Sequence, residues 1–248
     1  GVIPCFIEYK GELMLSAQSA DTMTHPKHRF KGMFVDLSNK TFDLCKELGI
    51  RLVFGFPNQN SYHGAVNKLG WRMTESMSCF IIRVNTLPLA RLFKKTRLFS
   101  VVYKSYSRLV LRKKMLPENG VANSATRDGF AGVSRSAAFL SYKTYSPSAV
   151  IRIADATIWI NNKNEIWIGD IENGTEANFK TVIKGLKQTA WWIGIRQIQF
   201  HCSPGTQLYK LFAKHFPESP SYPVLFQDFG SSIPLEKIKF TFSDIDIF

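Results

Sequence analysis

A tripeptide that recurs 145 residues apart constrains this chain most. Gly49-Ile50-Arg51 and Gly194-Ile195-Arg196 each follow a segment with helical spacing of apolar residues and open a short apolar run. In both places a short helical pattern comes next at the same offset, Ser61 to Leu69 and Thr206 to Lys214. A glycine that stops a helix and hands over to a buried strand is a strong local signal, because glycine tolerates the left-handed turn at a helix end. The side chains around the two tripeptides are otherwise unlike, so the recurrence is architectural rather than a sequence repeat.

The remaining segments fill in the same plan. Gly1 to Tyr9 and the run from Glu12 to Thr24 read as a hairpin about Lys10-Gly11. His28 to Leu48 has the helical period, Ile50 to Phe56 the look of a buried strand, Asn60 to Leu69 a short helix, and Trp71 to Val84 a strand. A basic segment with partial helical character follows, and then a Gly-, Asn- and Ser-rich stretch, 118–135, that reads as a linker. In the second half, VIRIAD, TIWIN and EIWIGDIE are three strands, with a hairpin tip at Asn162-Lys163-Asn164. Ala177 to Ile193 is an amphipathic helix, Gln197 to His201 a strand, and Thr206 to Phe216 a helix. YPVLFQDF and KIKFTFSDIDIF close the chain as strands. Helices between strands favour right-handed crossovers and a mixed sheet, which predicts an α/β protein with two layered sheets. The expected divisions are 1–85, a basic connector and linker over 86–135, and 136–248.

Composition sets the class. The chain is 45% hydrophobic and 21% charged, as in globular proteins. No apolar run approaches the roughly 18 residues needed to cross a bilayer. Pro4, Glu8 and Lys10 break the first apolar stretch, so a signal peptide is not expected. Four dispersed cysteines and the absence of metal-ligand spacing predict reduced thiols, a cytoplasmic protein and no metal. The net charge of +13 is concentrated: Ser76 to Pro117 holds no acid and ten cations, Arg83, Arg91, Lys94, Lys95, Arg97, Lys104, Arg108, Arg112, Lys113 and Lys114. Such a strip is either a solvated helix face or a surface for an anionic partner.

Arg29, Lys31 and Gly32 sit where a strand hands over to a helix. The first turn of a helix leaves N–H groups unpartnered at the positive end of the dipole, and glycine lets an anion approach them. Arg29-Phe30-Lys31-Gly32-Met33-Phe34 therefore reads as a phosphate cradle. Thr24-His25-Pro26, Arg29-x-x-Gly32-x-Phe34, the strand RLVFGFP, Asn58 to Tyr62 and Lys68-Leu69-Gly70-Trp71 extend the pattern.

Over residues 1 to about 84 this arrangement resembles the GNAT superfamily of acyl-CoA-dependent N-acyltransferases, whose motif is R/Q-x-x-G-x-G/A after a strand ending V-x-P. The second half resembles the same fold in element order only; GDIENGTEANF offers acids where cations are needed, so it reads as a degenerate copy. The resemblance implies transfer of an acyl group, acetyl by expectation, from acyl-CoA to the amine of a small molecule or amino sugar, by direct attack in a ternary complex. It assigns the diphosphate to Arg29 through Phe34 and polarisation of the thioester carbonyl to backbone N–H near Met23 and Thr24. Asp21 is a base or an amine anchor, or else a surface or hairpin aspartate. Tyr62 stands in as general acid for the family's tyrosine, whose position is Val66 here, or else it packs. Asn60 bonds the pantetheine arm or caps the short helix. Asp244 and Asp246 are candidates for the acceptor pocket. The sequence departs from the pattern at Phe30 and Phe34 and starts directly at the hairpin, without the family's first strand and helices. A non-catalytic binding or scaffold protein, an aminoacyl-tRNA-dependent tandem transferase, and pairing with a second copy stay open.

Overall fold

A computed structural model of the chain describes residues 1–28, 31–89, 93 and 97–248, and side chains within 97–100 are not considered. The chain forms two compact units that interleave in sequence. The first comprises Gly1–Met77, Ala125–Ser134 and Pro220–Phe240, and the second Ser78–Ser124, Arg135–Ser219 and Thr241–Phe248.

The first unit begins with the expected hairpin. β1 (Val2–Tyr9) and β2 (Glu12–Ser19) pair antiparallel from Val2↔Ser19 to Tyr9↔Glu12. Lys10 and Gly11 both take positive φ, 52° and 81°, the two-residue turn that matches strand twist. β2 runs parallel to β3 (Leu52–Gly55), in register from Ser16↔Leu52 to Gln18↔Phe54. β3 also pairs antiparallel with β11 (Glu218–Asp228) through Leu52 to Gly55, and the outer strand β6 (Gly132–Val133) pairs with β1. The strand order is β11-β3-β2-β1-β6.

Two helices cover one face. α1 (Met33–Glu47) turns Phe42 and Cys45 inward, and α2 (Gln59–Leu69) contributes Ala65; both pack with Ala17, Val53, Trp71 and Leu225. Successive residues of β3 face opposite ways. Accordingly Val53 joins the helices while the Phe54 ring stacks 4.8 Å from Phe240 on the other face.

In the second unit the strand order is β5-β7-β8-β9-β10-β4, with β5 at Met115–Leu116, β7 at Ser148–Ile153, β8 at Ala156–Asn162, β9 at Ile166–Glu172 and β10 at Gln197–Cys202. β4 is Arg72–Arg83, and its Ser78–Arg83 portion pairs antiparallel with β10. β9 and β10 are parallel. α3 (Arg97–Arg112), α6 (Glu176–Trp192) and α7 (Gln207–Ala213) accompany this sheet; Phe179, Val182, Ile183, Leu186 and Ala190 of α6 form the helical stripe that enters the core. α6 approaches β7 so closely at Gly185 that an added Cβ would lie 2.4 Å from Ile153 Cγ2.

The recurrent tripeptide marks the same local structure twice. Ile50 N–H donates to Cys45 O at 2.9 Å, and Ile195 N–H donates to Ala190 O at 2.8 Å, also 145 residues on. Gly49 and Gly194 take φ of 78° and 67°.

Two readings of local structure are corrected. Residues 118–135 do not hang as a linker: they hold α4 (Ser124–Arg127) and β6, with Ala125, Ala131 and Val133 buried. Edge pairing with β1 and burial of small apolar side chains outweigh the loop-like composition. The terminal KIKFTFSDIDIF is not a strand. The 3-10 turn Leu235–Lys237 leads into it and a second, Phe242–Asp244, lies within it, and among the described residues its bridges, Ala131↔Ile238 and Cys202↔Thr241, are isolated ones. Between Arg135 and the first 3-10 helix of the second unit lies α5 (Ala137–Tyr142), capped by Ser136.

Candidate functional site

The parallel strands β2 and β3 carry their carboxyl ends to one edge of the first unit, and their pairing stops at Gln18↔Phe54. Ligands of such sheets collect at this edge. β2 ends at Ser19, so the hairpin strand expected to run to Thr24 stops two residues short of Asp21. Asp21 is exposed and takes a left-handed φ of 48°. Met23 is 86% exposed and Thr24 half-buried. A 3-10 turn over Pro26–His28 follows, with His28 N–H donating to His25 O at 2.9 Å. Arg29 and Phe30 lie outside the described residues.

The described residues resume at Lys31 and Gly32. Gly32 is the N-cap of α1 with φ 79°, a conformation natural to glycine and strained for other residues. Its carbonyl accepts from Val35 N–H at 2.9 Å and Asp36 N–H at 3.1 Å, and no side chain among the described residues caps the helix. Among the described residues nothing accepts from the N–H groups of Met33 and Phe34. The second unit supplies the contrast. There β9 ends at Glu172, and α6 starts at Glu176 behind Thr175, whose Oγ1 accepts from Asn178 N–H while Asn178 Oδ1 accepts from Thr175 N–H at 2.9 Å. That helix end is closed by its own capping box. Of the two helix starts, only the one at Thr175 is closed by a capping box among the described residues.

Asp36 was not singled out by sequence reasoning, yet it is the acid of α1's first turn. Its Oδ2 would sit 3.7 Å from a Cβ placed on Gly32. It complements the helix dipole and would repel an anion approaching the helix start.

Phe34, where the GNAT motif has a small residue, points away from the helix start. Its ring packs on Gly64 of α2, where an added Cβ would come within 2.9 Å of Cε1. Gly64 is thus the small partner that accommodates Phe34, a compensation visible in sequence only once α1 and α2 are known to touch. At the start of α2 the cap is Asn58, not Asn60: Asn58 Oδ1 accepts from Asn60 N–H at 2.9 Å and Ser61 N–H at 3.2 Å. Asn60 stands in the first turn with its side chain uncommitted to capping. Tyr62, one turn on, donates its hydroxyl to Met73 Sδ at 3.2 Å and packs beside Val66 against the helix-side core. Hence Lys31, Gly32, Met33, Asn60 and Tyr62 are brought to the α1–α2 side of the strand ends, while Asp21, Met23 and Thr24 lie on the loop between β2 and that helix.

Asp244 lies elsewhere. Its carboxylate is buried in the second unit and pairs with Arg135 at 3.0 Å, so it is committed to holding the chain end. A cavity of about 480 Å3 in the same unit is lined by Arg83, Asn85, Glu165 and Arg196 among others. It opens at the amino end of β10, the opposite end from that at which a helix start could present donors.

Residues 1–74 match a family model described as an acetyltransferase (GNAT) domain. No curated protein sequence matches the chain. Among solved structures, a GCN5-related N-acetyltransferase from Kribbella flavida superposes with a TM-score of 0.55 at 11% identity, covering 92% of this chain and 56% of that one. A GCN5-related N-acetyltransferase from Anabaena variabilis gives 0.52 at 15% identity, with 92% and 59% covered. The chain therefore spans less than two thirds of the length of either, and the likeness is one of fold. By sequence, residues 1–74 are similar to the acetyltransferase (GNAT) domain, and the chain that carries them shares the fold of the GCN5-related N-acetyltransferases it superposes on.

Proposed function

We propose that the protein is an acyl-CoA-dependent N-acyltransferase that passes an acetyl group to the amine of a small molecule or amino sugar. The observation that carries this reading is the start of α1: a left-handed Gly32 at the cap and, among the described residues, no capping side chain and no acceptor for the N–H groups of Met33 and Phe34. Oriented amides at the positive end of a helix stabilise a diphosphate, and Arg29 and Lys31 add full charge. The donor supplies an acyl group already activated as a thioester. In this reading amides of the Met23–Thr24 loop polarise its carbonyl. Asp21 takes a proton from the attacking amine or anchors it, Tyr62 returns one to the departing thiolate, and Asn60 holds the pantetheine arm. The second unit, with its capped helix start, contributes no donor site in this reading.

A second reading, a donor-binding protein without turnover, draws on one contact: the Tyr62 hydroxyl already donates to Met73 Sδ. Titration calorimetry with acetyl-CoA on the wild type, Arg29→Ala and Gly32→Asp tests both. The expected result is binding that each substitution weakens by on the order of tenfold or more. Binding untouched by either change removes the proposal. Binding without release of CoA in the presence of any amine in a panel selects the second reading.

A further inference from the structure

Trp191 and Trp192 end α6 side by side, 50% and 52% exposed, with their rings edge to face 4.9 Å apart. Two adjacent tryptophans half in water need a reason, since tryptophan is among the costliest side chains to leave wet. α3 lies against them: Tyr106 donates its hydroxyl to Trp192 O at 2.7 Å, and Tyr103 donates to Ile193 O at 2.9 Å. The inward stripe of α3 is complete in Tyr103, Ser107 and Leu111, all buried. The outward side should then be polar, and it is not. Tyr106, Val102 and Leu109 lie within roughly 60° of one another around the helix, and all are exposed, Leu109 by 64%. Arg112, Arg108 and Lys104 follow on the side away from the tryptophans, exposed as well.

We infer that this face of the second unit is a docking surface for an anionic membrane. The pattern is that of a helix lying in the bilayer interface: aromatic and aliphatic groups along one band, cations beside them to meet lipid headgroups. The charge supports it, because no acid occurs between Ser76 and Pro117. No helix among the described residues is long and apolar enough to cross a membrane, so attachment is peripheral. A nucleic acid would also answer the charge and could stack on Trp191, Trp192 or Tyr106, but the exposed aliphatic side chains Val102 and Leu109 give a base nothing to stack on and suit acyl chains instead.

Sedimentation of the full chain with phosphatidylcholine vesicles, with and without phosphatidylglycerol, tests the proposal, read alongside tryptophan emission. The expected result is binding to the anionic vesicles alone, weakened by salt, with a blue shift quenched by brominated lipid. Arg108→Gln with Arg112→Gln should weaken it about 30-fold, from about 1 kcal/mol per cation. Trp191→Ser with Trp192→Ser should abolish the shift and weaken binding by on the order of tenfold. Absence of wild-type binding, or binding without quenching by brominated lipid, overturns the proposal however the variants behave. So does equal binding to neutral vesicles. Tight binding of single-stranded RNA, with none to vesicles, overturns it in favour of a nucleic-acid surface.

Discussion

His201 shows how much a single residue's chemistry depends on where the fold puts it. It lies on β10, its ring 4.3 Å from Phe242 and its Nε2 3.0 Å from Gln199 Oε1. The Gln199 amide nitrogen donates to Glu165 Oε2 at 2.6 Å, which leaves Oε1 as acceptor and makes Nε2 of His201 the protonated nitrogen of a neutral ring. Burial lowers the pKa of His201 from 6.5 to about 4. The unfolded chain therefore takes up a proton on this group at a higher pH than the folded one. The stability due to the neutral ring is fully present above about pH 6.5 and is lost as pH falls towards 4, roughly 3 kcal/mol in all. Urea unfolding near pH 7 and near pH 4 should show that loss in the wild type beyond the loss in His201→Gln. Equal losses would contradict the burial argument. Little of this was legible in the sequence, where His201 is one of five dispersed histidines. Asn58 was hidden differently, since Asn58 and Asn60 both suit a cap and only the path out of Pro57 decides between them.

At the scale of elements the sequence was far more telling. Helical and alternating periods located both hairpins, α1, α2, α6 and β10 within a few residues, because each buries one side against a core. The repeated Gly-Ile-Arg marked two identical helix ends, down to the hydrogen bonds of Ile50 and Ile195. Apolar alternation failed in the C-terminal segment, where Phe242, Ile245 and Phe248 are buried without a ladder: the Phe248 ring sits on Gly169, and Lys143 Nζ donates to Ile245 O at 2.6 Å. What fixes that segment is ionic. Arg135 is 3% exposed and pairs with Asp170 at 2.8 Å and Asp244 at 3.0 Å, while donating to Val121 O at 3.1 Å. Burial works against its charge, but Asp244 and Asp170 outweigh burial and hold its pKa above the ordinary arginine value. The partners lie 35 and 109 positions away, a distance no periodicity spans. Replacing Arg135 by Met leaves two carboxylates facing each other in a dry interior. The expected cost is about 3–5 kcal/mol of stability, read from urea midpoints, with a smaller cost for Arg135→Lys. A loss within experimental error in Arg135→Met would mean the pair is not what secures the chain end.

The whole molecule sets the limit on what a linear reading of the site can give. Residues 1–85 carry every candidate donor-binding residue and look self-contained in sequence, since hairpin, helix, strand, helix and strand follow in order. The folded first unit is not contiguous. Its sheet takes β11 alongside β3, through Leu225↔Gly55 and Asp228↔Leu52, and takes β6 alongside β1. Phe54, 1% exposed, is covered by Phe240. Cut at residue 85, β3 would become an edge strand with open N–H and C=O groups and a bare phenylalanine beside them, the situation that leads strands to aggregate. A fragment of residues 1–85 should therefore give no cooperative thermal transition by circular dichroism and should not bind acetyl-CoA, even though α1 and its glycine are present. The helix start is held in place by the strand end before it, and that strand end is held by segments more than a hundred residues later. A sharp melting transition together with acetyl-CoA binding by the fragment would show that the site needs only its own contiguous stretch, and that 125–134 and 220–240 are cladding rather than support.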